Sequence, residues 1–368
     1  MKILKYILLI LILLNIPTFS IANISSGLGS ATSMLLLLCV IVFYFFEEKL
    51  RPVVPLVVLG LSYYMISSLS YTENTSEFLK DLIRYFIFIL GIRKLASLTS
   101  KQEVCYILLI GAISIIINAL FFSNAFGRYS GFYINPNKAG FVCIIGFALT
   151  FSIKQKGIKL AAQFLFAIAG LMTLSRSFIL LFLLVNIISI IIDKKNIFTL
   201  ISGVIALVLI LSLSSIKLNT DRFNALKSIF SDNVDTTTIT KETRDETWAN
   251  YMEGIITNPV FGQGYKKLHG KPKGYYNNVD VGVHNSFLMI IGEAGIIPFI
   301  IVVVLYISML IRSFMIFNQE PLYLIISILL LSYLMVSHNY FDNFLLLFMT
   351  VWLYDKIKSQ NELLLNTV

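Results

Sequence analysis

A guanidinium can grip phosphate and an imidazole can move a proton, and this sequence offers both at a few isolated points. Arg176 interrupts a long apolar stretch in Leu174-Ser175-Arg176-Ser177, with no carboxylate nearby in the sequence. A phosphate could partner it through two parallel hydrogen bonds. Arg128 opens "GRYSGFYINPNKAG", a turn followed by a helix start at Lys138, with Asn137 inside the turn. Two roles fit Arg128: snorkelling to lipid headgroups, or holding an anion beside a helix N-terminus, where free N–H groups favour phosphate. Arg222 and Arg244 lie in a long polar interval, and His284 with Asn285 closes it at the threshold of an apolar run. An unperturbed imidazole titrates near ~6.5 and so suits proton transfer at neutral pH. A lone histidine is nevertheless more often a packed group. Glu293 would lie about 13 Å further along a straight helix, so no local triad is expected. His338 and Asp342 in "SHNYFDN" are the remaining ionisable groups of this kind.

The elements that must position these groups are membrane helices. The chain has 368 residues, 57% hydrophobic and 13% charged, with mean hydropathy +0.83. So little charge could not cover a soluble surface of this size. The apolar blocks have about the length needed to cross a ~30 Å hydrocarbon core. Spans are expected near 4–22, 31–46, 53–70, 80–97, 104–122, 137–153, 158–173, 177–192, 197–215, 286–310, 321–337 and 341–354. The fold class is therefore all-α, a polytopic membrane protein with about 12 transmembrane helices. The N-terminal bundle is expected over 1–216, one large, partly helical outer loop over 217–284, and the closing helices with a short tail over 285–368. Residues 1–22, with Lys2, Lys5, an apolar run and the small Ser20 and Ala22, resemble a signal peptide. With so many later spans an uncleaved first helix is expected.

Orientation follows Lys and Arg in short loops. With the N-terminus inside, alternate segments carry Lys2 and Lys5; Lys49 and Arg51; Arg93, Lys94 and Lys101; Lys154, Lys156 and Lys159; Lys194 and Lys195; Arg312; Lys356 and Lys358. The short outer loops keep only Arg128, Lys138 and Arg176, with Lys80 and Arg84 near the start of the fourth span. The net charge of +9 thus reflects topology and gives no reason to expect nucleic-acid binding. Within the outer loop, Thr243-Arg244-Asp245-Glu246 has the capping-box pattern. A helix is expected over 244–257, stopped by Asn258-Pro259. Arg244, Trp248, Tyr251 and Ile255 would share a face. Either Trp248 and Ile255 rest that face on the membrane interface with Arg244 solvated, or Arg244 points at the anion of Arg176. Gly262 and Gly264 in "PVFGQGYKKL" make a turn, since no Lys-Ser or Lys-Thr follows as in a nucleotide loop. Cys39, Cys105 and Cys143 lie within spans without metal-site spacing; packing is their expected role, and no metal or other cofactor is expected.

The segments "GRYSGFYINPNKAG", "LMTLSRSFILL", "TRDETWANYMEGIITNPVFGQGY" and "VGVHNSFLMIIGEAGIIPF", in this order, resemble the O-antigen ligase/polymerase superfamily of bacterial membrane glycosyltransferases. "HNYFDNFLLLFMTVW" fits the family's closing segment more loosely, and the likeness covers roughly residues 80 to 355. The resemblance implies a multi-pass protein of the bacterial inner membrane, lipopolysaccharide biosynthesis, and an active site facing the periplasm. The implied donor is a glycan on undecaprenyl diphosphate, transferred with inversion and without a metal or nucleotide. Arg176 and Arg244 match arginines that contact the donor diphosphate, and His284 matches a histidine that activates or orients the acceptor. Arg128, Asn137, Arg222, Trp248 and Asn285 are further candidates for substrate contact. A polymerase is favoured over a ligase because "SGFYINPNKAG" and "HNSFLMIIGEAG" resemble polymerase variants. A flippase of lipid-linked sugars fits less well, since the charges sit at span ends and not at the midplane. Membrane lipid is an expected partner, and a chain-length regulator protein is one by analogy.

Overall fold

In the computed structural model the described residues are 1–71, 74–122, 127–212, 244–270 and 282–365. Arg222 and Thr243 lie outside them. The regular structure among the described residues is all helical. In chain order it comprises α1 (Lys2–Leu13), α2 (Ile16–Asn23), α3 (Ser26–Phe46), α4 (Val54–Ser68), α5 (Thr75–Gly91), α6 (Arg93–Leu98), α7 (Lys101–Phe121) and α8 (Pro136–Leu149). There follow α9 (Lys156–Met172), α10 (Arg176–Ile192), α11 (Ile197–Ser212), α12 (Arg244–Thr257), α13 (Ser286–Ala294), α14 (Ile296–Met315), α15 (Pro321–Leu334) and α16 (Phe344–Leu365). Helices α3, α7 and α14 are long and apolar enough to cross a membrane, and the bent pair α1–α2 passes the same test as one unit. Shorter apolar helices α4, α10 and α15 accompany them. The chain is a multi-pass membrane protein.

Three expected spans are broken: that over 80–97 divides at Ile92 between α5 and α6, and the other two break near the end that carries Arg128, Arg176 and His284. The span expected over 4–22 turns by 54° between α1 and α2. At the bend Asn15 takes a left-handed conformation, φ 55°, which asparagine tolerates better than most residues. Its Oδ1 accepts hydrogen bonds from the Thr18 hydroxyl at 3.0 Å and the Lys138 ammonium at 2.8 Å. The span expected over 286–310 stops at Gly295, φ 77°, and restarts as α14. A Cβ there would sit 1.9 Å from the Val260 carbonyl oxygen, so only glycine permits this close crossing. Hydropathy is blind to the breaks at Asn15 and Gly295 because apolar residues continue through them.

Helix α7 gives the bundle its two ends, about 30 Å apart at 1.5 Å per residue. Its start is a capping box in which Ser100 and Glu103 satisfy each other's backbone N–H. Around that end the expected inner cations are paired: Lys5 with Glu103 at 2.7 Å, Arg93 with Asp355 at 3.0 Å and Lys101 with Glu320 at 2.6 Å. Near its other end Asn118 Oδ1 accepts from the backbone N–H of Ser130 and Gly131, each at 3.3 Å. The loops that carry Arg128, Arg176 and His284 gather there. Cys105 and Cys143 are buried and all three cysteines are free.

Candidate functional site

The arginine side of the site is a clasp between two loops. Tyr129 N–H donates to the Met172 carbonyl at 3.3 Å, and Arg128 Nε donates to the Thr173 carbonyl at 3.1 Å. Arg128 Nη2 reaches Asn137 Oδ1 at 3.2 Å, and the Ser175 hydroxyl donates to the same oxygen at 3.2 Å. Arg128 is thus half-buried and held by the protein, not laid out along lipid. Leu174 turns at φ 46°, so that Ser175 precedes α10 and the exposed Arg176 is its first residue. Three residues expected at the site, Arg128, Asn137 and Arg176, are brought to one place.

The histidine side was only partly legible in the sequence. Asn285 caps α13, its side-chain oxygen accepting from the N–H of Phe287 and Leu288 at 2.9 and 3.2 Å. That leaves His284 just outside the helix, at φ 47°, with Nδ1 3.1 Å from His338 Nδ1. The ring of His269 lies 5.5 Å from that of His338. His269 Nδ1 is 2.9 Å from Glu293 Oε1, which also accepts from Leu268 N–H at 2.9 Å. The Tyr63 hydroxyl donates to the other carboxylate oxygen, and Tyr63 itself stacks on Phe341. The chain's three histidines thus form one row, with fully buried Glu293 at its end. Glu293 does not reach His284, as its spacing implies, but it fixes His269, which sequence reading passed over. The signal that could have found it is compositional: a membrane chain with three histidines has them all outside its expected spans.

The charge states follow from these contacts. Burial, then the neighbouring imidazoles of His284 and His269, pushes the His338 pKa down to about 3. His338 is therefore neutral at physiological pH. Burial opposes charge on His269 too, but the Glu293 carboxylate and its hydrogen bond outweigh it and raise that pKa. A neutral His338 beside His284 requires one shared proton between the two Nδ1 atoms. When a neutral His284 supplies it, Nε2 is the nitrogen of that ring without a proton.

A cavity of about 210 Å³ joins the two sides, lined by Asn137, Lys138, His284, His338 and Asp342 among others. Its Asn137 wall is the one tied to Arg128 and Ser175. The row is held from behind by the glycine turn: Gln263 N–H donates to the Gly292 carbonyl at 2.7 Å and Gly264 N–H to that of Glu293 at 3.1 Å. Gly262 has φ 70°, and a Cβ on it would come within 2.4 Å of the Glu293 carbonyl carbon. Gly262→Ala should therefore cost about 1–3 kcal/mol of stability and lower activity with it. The check is thermal unfolding in detergent; an unchanged Tm with unchanged activity would mean that the turn does not brace the row. Further along, Tyr265 donates to Asp81 at 2.7 Å, and Lys266 pairs with Glu77 and Asp81 at 2.6 and 2.8 Å.

Helix α12 runs over the expected residues. Ile255 is buried, and Trp248 and Tyr251 pack partly buried against the protein core. Ile255 lies beside Gly292 of α13. This face therefore rests on protein, which speaks against the first of the two alternatives, a face laid on the membrane interface. The Trp248 indole N–H is buried and finds no acceptor among the described residues. Arg244 is the first residue of α12, and its side chain lies outside what is described. Among the described residues no group of three or more His, Cys, Asp or Glu is arranged to hold a metal ion.

All five non-glycine residues with positive φ among the described residues, Asn15, Ile134, Leu174, Lys266 and His284, fall in the loops at this end. Strain of this kind persists where surrounding contacts impose it and clusters at functional sites.

At one end of the helical membrane bundle a cavity thus lies between an arginine-bearing clasp and a row of histidines. Residues 161–303 match the family described as O-antigen ligase, and this supports membership of the O-antigen ligase/polymerase superfamily. The matched segment contains Arg176, Arg244, His269, His284 and Glu293. No curated protein matches the chain.

Proposed function

We propose that this protein polymerises O-antigen repeat units at the periplasmic face of the bacterial inner membrane, through about twelve membrane crossings and one large outer loop. It transfers a glycan chain from undecaprenyl diphosphate to the next lipid-linked repeat unit. The observation that carries the reading is one cavity lined by both His284 and Asn137, the latter tied by its side-chain oxygen to Arg128 and to Ser175, which directly precedes Arg176. The acceptor hydroxyl attacks the anomeric carbon from the face away from the diphosphate, and its proton passes to His284 Nε2. The bond from that carbon to the diphosphate oxygen breaks, and negative charge grows on the leaving group. Fixed guanidinium groups stabilise that charge more in the transition state than in the ground state. Arg176 and Arg244 hold the diphosphate, with Arg128 and Asn137 setting the loop geometry behind them. Arg222, Trp248 and Asn285 are assigned to the substrate side by family likeness.

No step here needs a metal, and the sequence has no Asp-x-Asp motif. Transfer should persist in excess EDTA; loss that added Mg²⁺ reverses would contradict this mechanism. The description of the matched family favours a second reading, a ligase that moves the glycan to lipid A–core. A gel of lipopolysaccharide from a strain lacking the gene separates the two. Core carrying one repeat unit without a ladder means polymerase, and bare core with accumulating lipid-linked polymer means ligase. A normal ladder would sink both.

A further inference from the structure

Lys80 and Arg84 are outer-side cations that the donor site does not use. They belong to α5 and line a second cavity of about 340 Å³ that shares Thr18 and Asp342 with the first. We propose that this second cavity is the acceptor site and takes a phosphorylated glycolipid, a proposal that rests on the transferase reading above. Inversion requires the nucleophile to arrive away from the leaving diphosphate. The arginine clasp borders the first cavity at Asn137, whereas the second adjoins it at Thr18 and Asp342, and neither Asn137 nor a residue of the arginine clasp lines the second. An acceptor seated there enters by a wall that the donor phosphates do not occupy.

The lining fits such a ligand. Carboxylates and an aromatic ring are what sugar hydroxyls and sugar faces bind, and Glu77, Asp81, Asp342 and Phe341 supply them. Lys266 already occupies Glu77 and Asp81 in part. Arg84 approaches Asp81 only at 3.4 Å, and Lys80 is exposed and makes no ion pair among the described residues. Both cations are therefore available to a phosphate. Orientation selects against cations on this side, so their retention at a cavity mouth is consistent with binding one. Leu11, Ile12 and Leu36 form an apolar wall along which a lipid chain can lie.

The test uses the full-length protein in lipid nanodiscs with a lipid-diphosphate glycan donor. One arm supplies as acceptor a repeat unit joined to its lipid diphosphate by a non-cleavable linkage; the other supplies lipid A–core. Lys80→Ala/Arg84→Ala should raise the acceptor KM about tenfold and leave the donor KM within about twofold. The arm that shows transfer identifies the source of the phosphate. Donor KM rising instead, or acceptor KM unchanged, overturns the acceptor site while the transferase reading stands. Absence of transfer by the wild type in both arms would sink the transferase reading itself. Direct binding of the non-cleavable lipid-linked unit then decides the cavity, since equal binding by wild type and double variant overturns it.

Discussion

Arg176→Ala is expected to lower sugar transfer by about 10²–10³-fold, the usual effect of removing one donor aimed at developing charge. The side chain is exposed at the first residue of α10, and alanine is well tolerated there. The variant should therefore reach the membrane in normal amount with an unchanged Tm. Arg176→Lys should recover only part of the loss, because an ammonium keeps the charge but not the paired hydrogen bonds of a guanidinium. Arg244→Ala should behave like Arg176→Ala. Arg128→Ala should differ by also loosening the clasp, since Thr173 and Asn137 each lose a donor. Transfer rates within about twofold of wild type for both Arg176→Ala and Arg244→Ala would remove the diphosphate clamp. Loss of activity together with loss of protein would reassign them to folding.

Local signals were legible in the sequence and distant ones were not. The capping box and Asn-Pro stop place α12 correctly, and "HN" marks the start of α13, because caps act within four residues. Composition fixes the all-helical membrane class. The bends at Asn15 and Gly295 escape hydropathy, since each is imposed by partners far along the chain: Lys138 for Asn15 and Val260 for Gly295. The same holds for the histidine row. His269 and Glu293 are 24 residues apart and His284 and His338 are 54 apart; no periodicity links them, and only the folded loops do. Arg128 and Arg176 stood out in the sequence because cations are rare in the loops expected outside, and Asn137, a candidate for substrate contact there, is the residue that ties Arg128 to Ser175.

His284→Ala should cost about 10²–10⁴-fold in transfer, the range for a lost general base, with protein level retained. Alanine loss alone does not separate a base from a packing group, so the decisive variants lie at His338. In the proposed mechanism neutral His338 accepts the Nδ1 proton of His284, so that Nε2 is the nitrogen that takes the acceptor's proton. His338→Ala removes that partner and should lower the rate, with less effect than loss of His284 itself. His338→Asp replaces a neutral acceptor by a carboxylate 54 residues away in sequence but in contact with the ring in space. An adjacent negative charge favours the imidazolium and raises the His284 pKa. The base must be unprotonated to work, so the acid limb of the kcat/KM profile should move to higher pH. In the wild type, His338 with its pKa lowered to about 3 stays neutral through the working range and adds no limb of its own. A profile in His338→Asp that superimposes on the wild type, with the rate retained, would mean that His284 takes no proton in the reaction. The acceptor hydroxyl would then need another base, and Asp342, which lines both cavities, is the carboxylate placed to serve.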